Sequence, residues 1–463
     1  MITVNFKSDI NLYEQIYNKI ILEIEEGRLS YKDKLPSKRN LASHLGVSVN
    51  TVSTAYELLL SEGYLVSKEK VGYFVDMLDR SNLRPIGKTF DDSENQNINE
   101  KKKYKYDFYF AGLDKDYIYK SLQPFSAKAL EMTINEDSTD PLGSFKLRKE
   151  IAKMLFDYKG IDSSANNILI TSGYRENLNI IFSILNEEYY AAEDPCYFKN
   201  SSIFKNAGKK LLRIPIDKYG FSVKDLEKGP AKVAITTPSH QFAEGILMGI
   251  RRRQRLINWA NENYAYIFED DYDSDFRYGP KLVPALKALD KEDRVIFSGS
   301  FSQSVGKIFS ISYLCLPDEL IEKLDLKSVE KSRISALEEN LLYLFLASGE
   351  YRKYINRMTK IYKKKRDLFI KYISERRKDA IVEGDELGLF FTLRFSKKIP
   401  SDELVQKRLE ERGIYLKSVD DYRHYKKNDR KYIVGFGGFE IEKIPRAANS
   451  LLEVFSEEEN EKE

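Results

Sequence analysis

A chain of 463 residues, 42% hydrophobic and 32% charged, is too long for one ordinary core and has the balance of a soluble protein of two or three domains. Its net charge of +3 excludes neither nucleic acid nor small-molecule partners, so the distribution of charge matters more than its sum. The N-terminus lacks an apolar core followed by a small-residue cleavage site, and no segment approaches the roughly eighteen apolar residues of a membrane span, which predicts a cytoplasmic protein without membrane association. Cys196 and Cys315 read as packed free thiols. His44, His240 and His424 show no ligand spacing, so no metal is expected.

Leu12, Ile16, Ile20 and Ile24 recur at helical spacing and predict an amphipathic helix ending near Gly27, with Asn11 and Glu14 as a capping box. A second helix follows a Ser37 cap, turns Leu41, Ala42 and Leu45 inward and stops at Gly46. A third follows a Ser48 cap, with Val52, Ala55, Tyr56 and Leu59 as its inner stripe and Gly63 as its end. Two short helices so closely joined form a helix-turn-helix, and "YLVSKEKVGYFV" reads as two strands around a charged turn. Periodicity alone also fits any small three-helix domain. Residues 1–75 carry nine Lys/Arg and nine Asp/Glu, yet Lys32, Lys34, Lys38 and Arg39 cluster together and Lys68 and Lys70 follow in the turn, so this neutral segment can present one basic face.

Residues 76–105 have few apolar positions and no period, which predicts a flexible tether. Its "KKKYK" reads as a solvated run. From residue 106 helices alternate with β-rich runs: "NILIT", "YYAAE", "LLRIPI", "KVAITT", "YAYIFED", "RVIFSGS" and "SISYLCL". Such alternation predicts an α/β domain with a mostly parallel sheet and ligand chemistry at the carboxyl ends of its strands. Polar stretches follow five of those ends: "TSGYREN", "EDPCYFK", "TTPSHQF", "EDDYDSDF" and "GSFSQS". From about 317 to 463, long charged helices and then short strands suggest a small α+β lobe.

The front segment, with "LPSKR", "LGVS", "TV", "AY" and "EGYL", resembles the GntR family of winged-helix repressors over residues 1–75. That likeness implies double-stranded DNA as partner, with Val49, Asn50, Thr51 and Ser53 facing bases and phosphates and Lys38, Arg39, Lys68 and Lys70 holding the backbone. The family usually has arginine at the Val49 position, and valine offers only apolar contact, for example with a thymine methyl.

"STDPLGSFKLRKEIA", "ITSGYRENLNII" and "IFEDDYDSDFRY" are similar to fold type I aminotransferases. Together with the front segment they resemble the MocR subfamily of GntR regulators. The resemblance implies that residues 106–463 form an effector and dimerisation domain, a homodimer pairing these domains, often head to tail in the family, and pyridoxal 5'-phosphate as cofactor. It implies Asp270 beneath the pyridine nitrogen, Tyr272 at the ring hydroxyl, Tyr197 stacked on the ring, and Gly173, Tyr174, Ser300 and Ser302 around the phosphate. Arg430 corresponds to the arginine that clamps an amino acid's carboxylate. Several positions depart from this pattern. Gln303 stands where the covalent lysine belongs, and a carboxamide is neither basic nor nucleophilic, which argues against covalent attachment. Ser310 replaces the phosphate's arginine, "AEG" at 243–245 replaces "PTG" and introduces Glu244, Lys199 replaces an arginine, and Phe390 stands where histidine is common. Lys307, beyond the turn, is a possible substitute for the missing lysine.

These features predict a DNA-binding transcriptional regulator whose aminotransferase-like domain senses a small molecule, pyridoxal phosphate or an amine or amino acid, without turnover. The alternatives are an aminotransferase with an appended DNA-binding module, which Gln303 opposes, and a ligand-blind regulator that uses the large domain only to dimerise.

Overall fold

The structure, a computed structural model, describes residues 2–4, 6, 11–69, 71–76, 104–109, 113, 115–135, 140–197, 202–279, 283–324 and 334–456. It divides into two compact units, Met1–Lys102 and Lys103–Glu463. Most of the expected tether lies outside the described residues.

In the smaller unit, helices Leu12–Glu25, Lys38–Leu45 and Val49–Ser61 precede the antiparallel strands Leu65–Lys68 and Gly72–Val75. Ile16, Ile20 and Ile24 meet Leu41 and Ala42 and the stripe Val52, Ala55, Tyr56 and Leu59 in one core, and each large apolar side chain buried there stabilises the fold by about 1.5–3 kcal/mol. The Ser37 and Ser48 hydroxyls accept from the backbone N–H groups of Asn40 and Thr51 at 3.2 and 3.1 Å. Gly46 ends the second helix at φ 69°, a left-handed conformation suited to glycine. The expected capping box at Asn11 does not form. The Asn11 amide and the Tyr13 hydroxyl both donate to Glu14 Oε1, at 3.2 and 3.0 Å, and Asn11 makes no side-chain bond to the helix backbone.

The larger unit is built on an eight-stranded sheet in the order Ile168–Thr171, Ser312–Cys315, Val295–Ser300, Tyr266–Asp271, Val233–Thr236, Tyr189–Asp194, Lys210–Asp217, Gly220–Phe221. Strand Ser312–Cys315 runs antiparallel to both neighbours, while the five strands that follow it in the order pair in parallel. Ile168–Thr171 and Val233–Thr236 are buried at every residue, as a sheet covered on both faces requires. Side-chain alternation divides the core: Phe268 and Ile296 join one apolar cluster, Ile267 and Val295 the other.

A four-stranded antiparallel sheet, Ala380–Glu383, Phe390–Phe395, Tyr432–Gly435 and Lys417–Ser418, packs with the 27-residue helix Glu350–Arg376. Of the long helix expected after residue 317, the described residues contain Asp318–Glu322 and Ala336–Ala347, the latter capped by Ser335.

The loop before Phe390 comes within contact distance of the large sheet at Gly388. This residue has φ 68°, and a Cβ there would lie 2.1 Å from Asp273 Oδ2 and 2.7 Å from His240 Nδ1. Gly388→Ala is therefore expected to cost about 2 kcal/mol or more, read as a lower thermal midpoint of the large unit's transition by circular dichroism. An unchanged midpoint would show that this approach is looser than described.

Candidate functional site

In the smaller unit, the start of helix Val49–Ser61 and the strand pair carry the residues expected to meet DNA. Val49 is 44% exposed, Arg39, Asn50 and Lys68 are exposed, and Thr51 and Ser53 are half-buried. Lys70 lies outside the described residues. Lys38 is less available than its sequence suggests: its ammonium donates to Ser53 Oγ at 2.8 Å, lies 3.5 Å from the Glu57 carboxylate and sits over the Tyr73 ring. Lys68 and Lys34 both lie over the Phe74 ring, at 5.0 and 6.0 Å from its centroid. Thr51 Oγ1 is 2.8 Å from Ser48 Oγ.

In the larger unit, the five strand ends with polar sequences open into one cavity of about 320 Å³. Gly173 and Tyr174 reach it from the end of Ile168–Thr171, Tyr197 from Tyr189–Asp194, and Phe242 from the loop after Val233–Thr236. Asp270 and Tyr272 enter from strand Tyr266–Asp271, and Ser300, Ser302 and Gln303 from Val295–Ser300 and the turn beyond. All seven residues expected around a ring and its phosphate thus line one space, with Gln303 beside them.

The carboxyl chemistry follows from strand alternation. Glu269 and Asp271 point away from Asp270. Glu269, fully buried, lies 3.5 Å from the guanidinium of Arg253 and accepts the N–H groups of Leu286 and Lys287, both at 2.9 Å. Asp271 pairs with Lys159 at 2.5 Å, which holds its carboxyl below the usual range against the effect of burial. Among the described residues Asp270 has no such cation. Its Oδ1 accepts from Ser298 Oγ at 3.2 Å, which in turn accepts from Asn177 Nδ2 at 3.1 Å. Burial raises its pKa well above the ordinary carboxyl value, and the neighbouring Asp271, Asp273 and Glu193 add to the rise.

Around this group, the Tyr272 hydroxyl donates to the His240 carbonyl at 2.9 Å. Burial opposes a charge on His240, but Asp273, 2.8 Å from Nδ1, outweighs it and raises the imidazole's pKa. Glu193 is held by the hydroxyls of Thr236 and Thr237 at 2.6 and 2.7 Å. Phe390 is buried against His240 and Phe242, with ring centroids 4.5 and 6.1 Å away.

Fit to a phosphorylated pyridine is divided. The ring positions are present. At the start of helix Tyr174–Leu185, however, both the N–H and the hydroxyl of Ser172 donate to the helix's own Glu176 carboxylate. Ser310 is exposed, does not line the cavity, and its N–H donates to Glu338 at 3.3 Å. The residues present do not fit a covalently held phosphate ester. Lys199 and the side chain of Lys307 lie outside the described residues.

Arg430 is not brought to the cavity. Its guanidinium donates to Asp402 Oδ1 and the Ile399 carbonyl, both at 3.0 Å, and to the Pro400 carbonyl. It turns toward the start of helix Asp402–Glu411, and its neighbour Lys431 instead meets Glu244 and Glu383 at 2.6 and 2.8 Å. Glu244 also pairs with the buried Arg423, so the acid introduced by "AEG" joins two cations of the small lobe to the large sheet. The sequence reading missed Asn177, Glu193 and Ser298 in the cavity and Glu176 beside it. Asn177 carried a signal, a polar residue on the buried stripe with Leu178, Ile181 and Phe182.

Residues 12–75 match the bacterial regulatory proteins of the gntR family, and residues 116–425 match aminotransferase class I and II. The uncharacterized HTH-type transcriptional regulator YdeL of Bacillus subtilis is 33% identical over 94% of this chain and 95% of its own. The probable rhizopine catabolism regulatory protein MocR of Rhizobium meliloti is 26% identical over 98% and 96%. The HTH-type pyridoxine biosynthesis transcriptional regulator PdxR of Corynebacterium glutamicum is 27% identical over 94% of each chain. Among solved structures, an archaeal alanine:glyoxylate aminotransferase shares the fold with a TM-score of 0.69 at 23% identity, covering 76% of this chain and 91% of its own. A GntR-type head, an aminotransferase-like sheet and relatives matched almost end to end lead to one assignment: the chain belongs to the HTH-type transcriptional regulators that join a gntR-family DNA-binding domain to an aminotransferase class I and II domain, a family in which pyridoxal phosphate binding is implied.

Proposed function

We propose that this DNA-binding regulator is a cytoplasmic homodimer of its aminotransferase-like domains, and that the cavity holds a small-molecule effector without covalent attachment or turnover. Residues 1–75 act as the head, 76–105 as the tether, and 317–463 as the lobe that closes over the ligand. The observation that carries this reading is Gln303 at the cavity wall, at the position that corresponds to the covalent lysine. A carboxamide there can hydrogen-bond a ligand but can neither link to it nor carry a proton from it. Asp270, Tyr272 and Tyr197 support retention of a ring site. An effector that favours one arrangement of the paired units would change the spacing of the heads by population shift.

On the DNA side, Arg39, Lys68, Asn50 and Val49 are the principal exposed contacts proposed, with Thr51, Ser53, Lys38 and Lys70 around them. Fluorescence anisotropy with operator DNA across a salt series should give a steep fall in affinity. Arg39→Ala and Lys68→Ala should each flatten the logarithmic salt slope by about one unit. A slope unchanged in both would remove these residues from the phosphate contacts. Val49→Arg should tighten binding or alter base preference by about 1–3 kcal/mol, and indifference to it would mean that this turn does not face the groove. Sedimentation of the full chain should give a dimer at micromolar concentration.

On the ligand side, mixing with pyridoxal phosphate should produce no borohydride-reducible species absorbing visible light, and no transamination should be measurable. The double change Gln303→Lys with Ser310→Arg should create such a species by restoring the nucleophile and the phosphate's charge partner. Reducible colour in the parent protein would overturn the reading of Gln303, and peptide mapping would then locate the lysine.

A further inference from the structure

The cavity's ionisable groups are unbalanced. Among the described residues that line it, the carboxyls Asp270 and Glu193 are present and no Lys, Arg or His is. Two basic side chains outside the lining are engaged: His240 meets Asp273 at 2.8 Å, and Arg213 donates to Sγ of the lining Cys196 at 2.6 Å. Of three successive carboxyls on strand Tyr266–Asp271, Glu269 and Asp271 each have a buried cation. Asp270, the one that faces the ligand space, does not.

Hydrogen-bond polarity points the same way. Asn177, fully buried among the residues that line the cavity, spends one amide N–H on Ser298, and its Oδ1 has no partner. A buried acceptor without a donor costs about 1–3 kcal/mol, which a ligand N–H would recover. The walls add Tyr109, Tyr174, Tyr197, Phe242 and Tyr272, whose ring faces attract cations and repel anions. Beside the cavity, though not in its wall, Glu176 takes the Ser172 N–H and hydroxyl, and Glu338 takes the Ser310 N–H. Among the described residues that line the cavity, a phosphate dianion would find carboxyls and no cation.

We infer that the cavity selects a cationic aromatic ligand, a protonated arylalkyl or pyridylalkyl amine without a phosphate, and discriminates against the phosphorylated form of the same ring. The inference rests on the proposed use of the cavity as an effector site. The amine's N–H groups bond Asp270 and Asn177, its charge supplies the counter-ion that Asp270 lacks, and its ring packs among the tyrosines. The Glu193 carboxyl, already bonded by Thr236 and Thr237, contributes its field rather than a direct contact.

Calorimetry on the full chain tests this with four probes: pyridoxamine, pyridoxamine 5'-phosphate, tyramine and the anionic 4-hydroxyphenylacetate. Pyridoxamine and tyramine should bind about tenfold or more tightly than the two anions, the difference expected for one charge-assisted contact. Asp270→Asn keeps the side chain's shape and an acceptor for Ser298, and should weaken both amines about tenfold. Glu176→Gln with Ser310→Arg should raise the affinity for pyridoxamine 5'-phosphate. Equal or tighter binding of the phosphate form by the parent protein overturns the inference, as does unchanged amine affinity in Asp270→Asn or failure of all four probes to bind. Anisotropy with DNA on the same preparations separates the two readings. A chain that binds DNA and no amine leaves the regulator standing and sinks the ligand, whereas amine binding without any DNA affinity does the reverse.

Discussion

Three adjacent carboxyl groups near the end of one central strand set the electrostatic terms for the whole large unit. A carboxylate taken out of water without a partner costs several kcal/mol, and a strand presents successive side chains to opposite faces. Glu269 and Asp271 therefore require cations from one side of the sheet. Arg253, on helix Ile250–Glu262, and Lys159, at the end of helix Phe145–Lys159, supply them. Those two helices are fixed against the sheet by charge as well as by apolar packing, and breaking such a buried pair from one side costs about 3–5 kcal/mol. Asp270 is left facing the opposite way, into the space between the strand ends.

The rest of the site is arranged around keeping that space shaped while its central acid stays uncompensated. Hydroxyl and amide groups satisfy Glu193, a histidine meets Oδ2 of Asp273 while its buried Oδ1 has no partner, and Asn177 with Ser298 steers the Asp270 carboxyl. The Glu193–Thr236 and Asp270–Ser298 contacts each join two strands, so the cavity's geometry depends on the register of the parallel sheet. The aromatic set from Tyr174 through Tyr197, Phe242 and Tyr272 forms a chain of edge-to-face contacts with centroids 6.0 to 6.5 Å apart. Rings so interlocked resist rearrangement, because moving one exposes the next.

Much of this architecture was legible in the residues. Seven β-rich runs became seven strands of the sheet, since strands covered on both faces are rich in apolar residues, and Ser37, Ser48 and Gly46 marked helix ends through local backbone chemistry. The five polar strand ends converge as the alternation of helices and strands implied. What escaped the sequence depends on partners distant along the chain. Nothing near Arg430 reveals that Asp402 and two carbonyls will hold it outside the cavity. Nothing near Lys38 reveals that Ser53 and Glu57 will share its charge. At Asn11 the side chain bonds the Glu14 carboxylate through its amide N–H and makes no bond to the helix backbone. Glu176 was visible as an acid in a first helical turn, favourable to the helix dipole, but its occupation of the Ser172 donors required coordinates.

Glu244 leaves a constraint of a different kind. Its two oxygens meet Arg423 and Lys431, and Arg423 is shared further with Asp420 and Asp429. Beside it Gly245 lies so close to Gly384 that a Cβ on either would fall 2.7 Å from the other's backbone. The seam between the large sheet and the small lobe is thus held by charges and by this backbone approach, beside a cavity of about 580 Å³ that the same residues line. Drift at this seam must proceed by paired exchanges, an acid lost on one side together with a base on the other, so related sequences should vary at 244, 423 and 431 as a set.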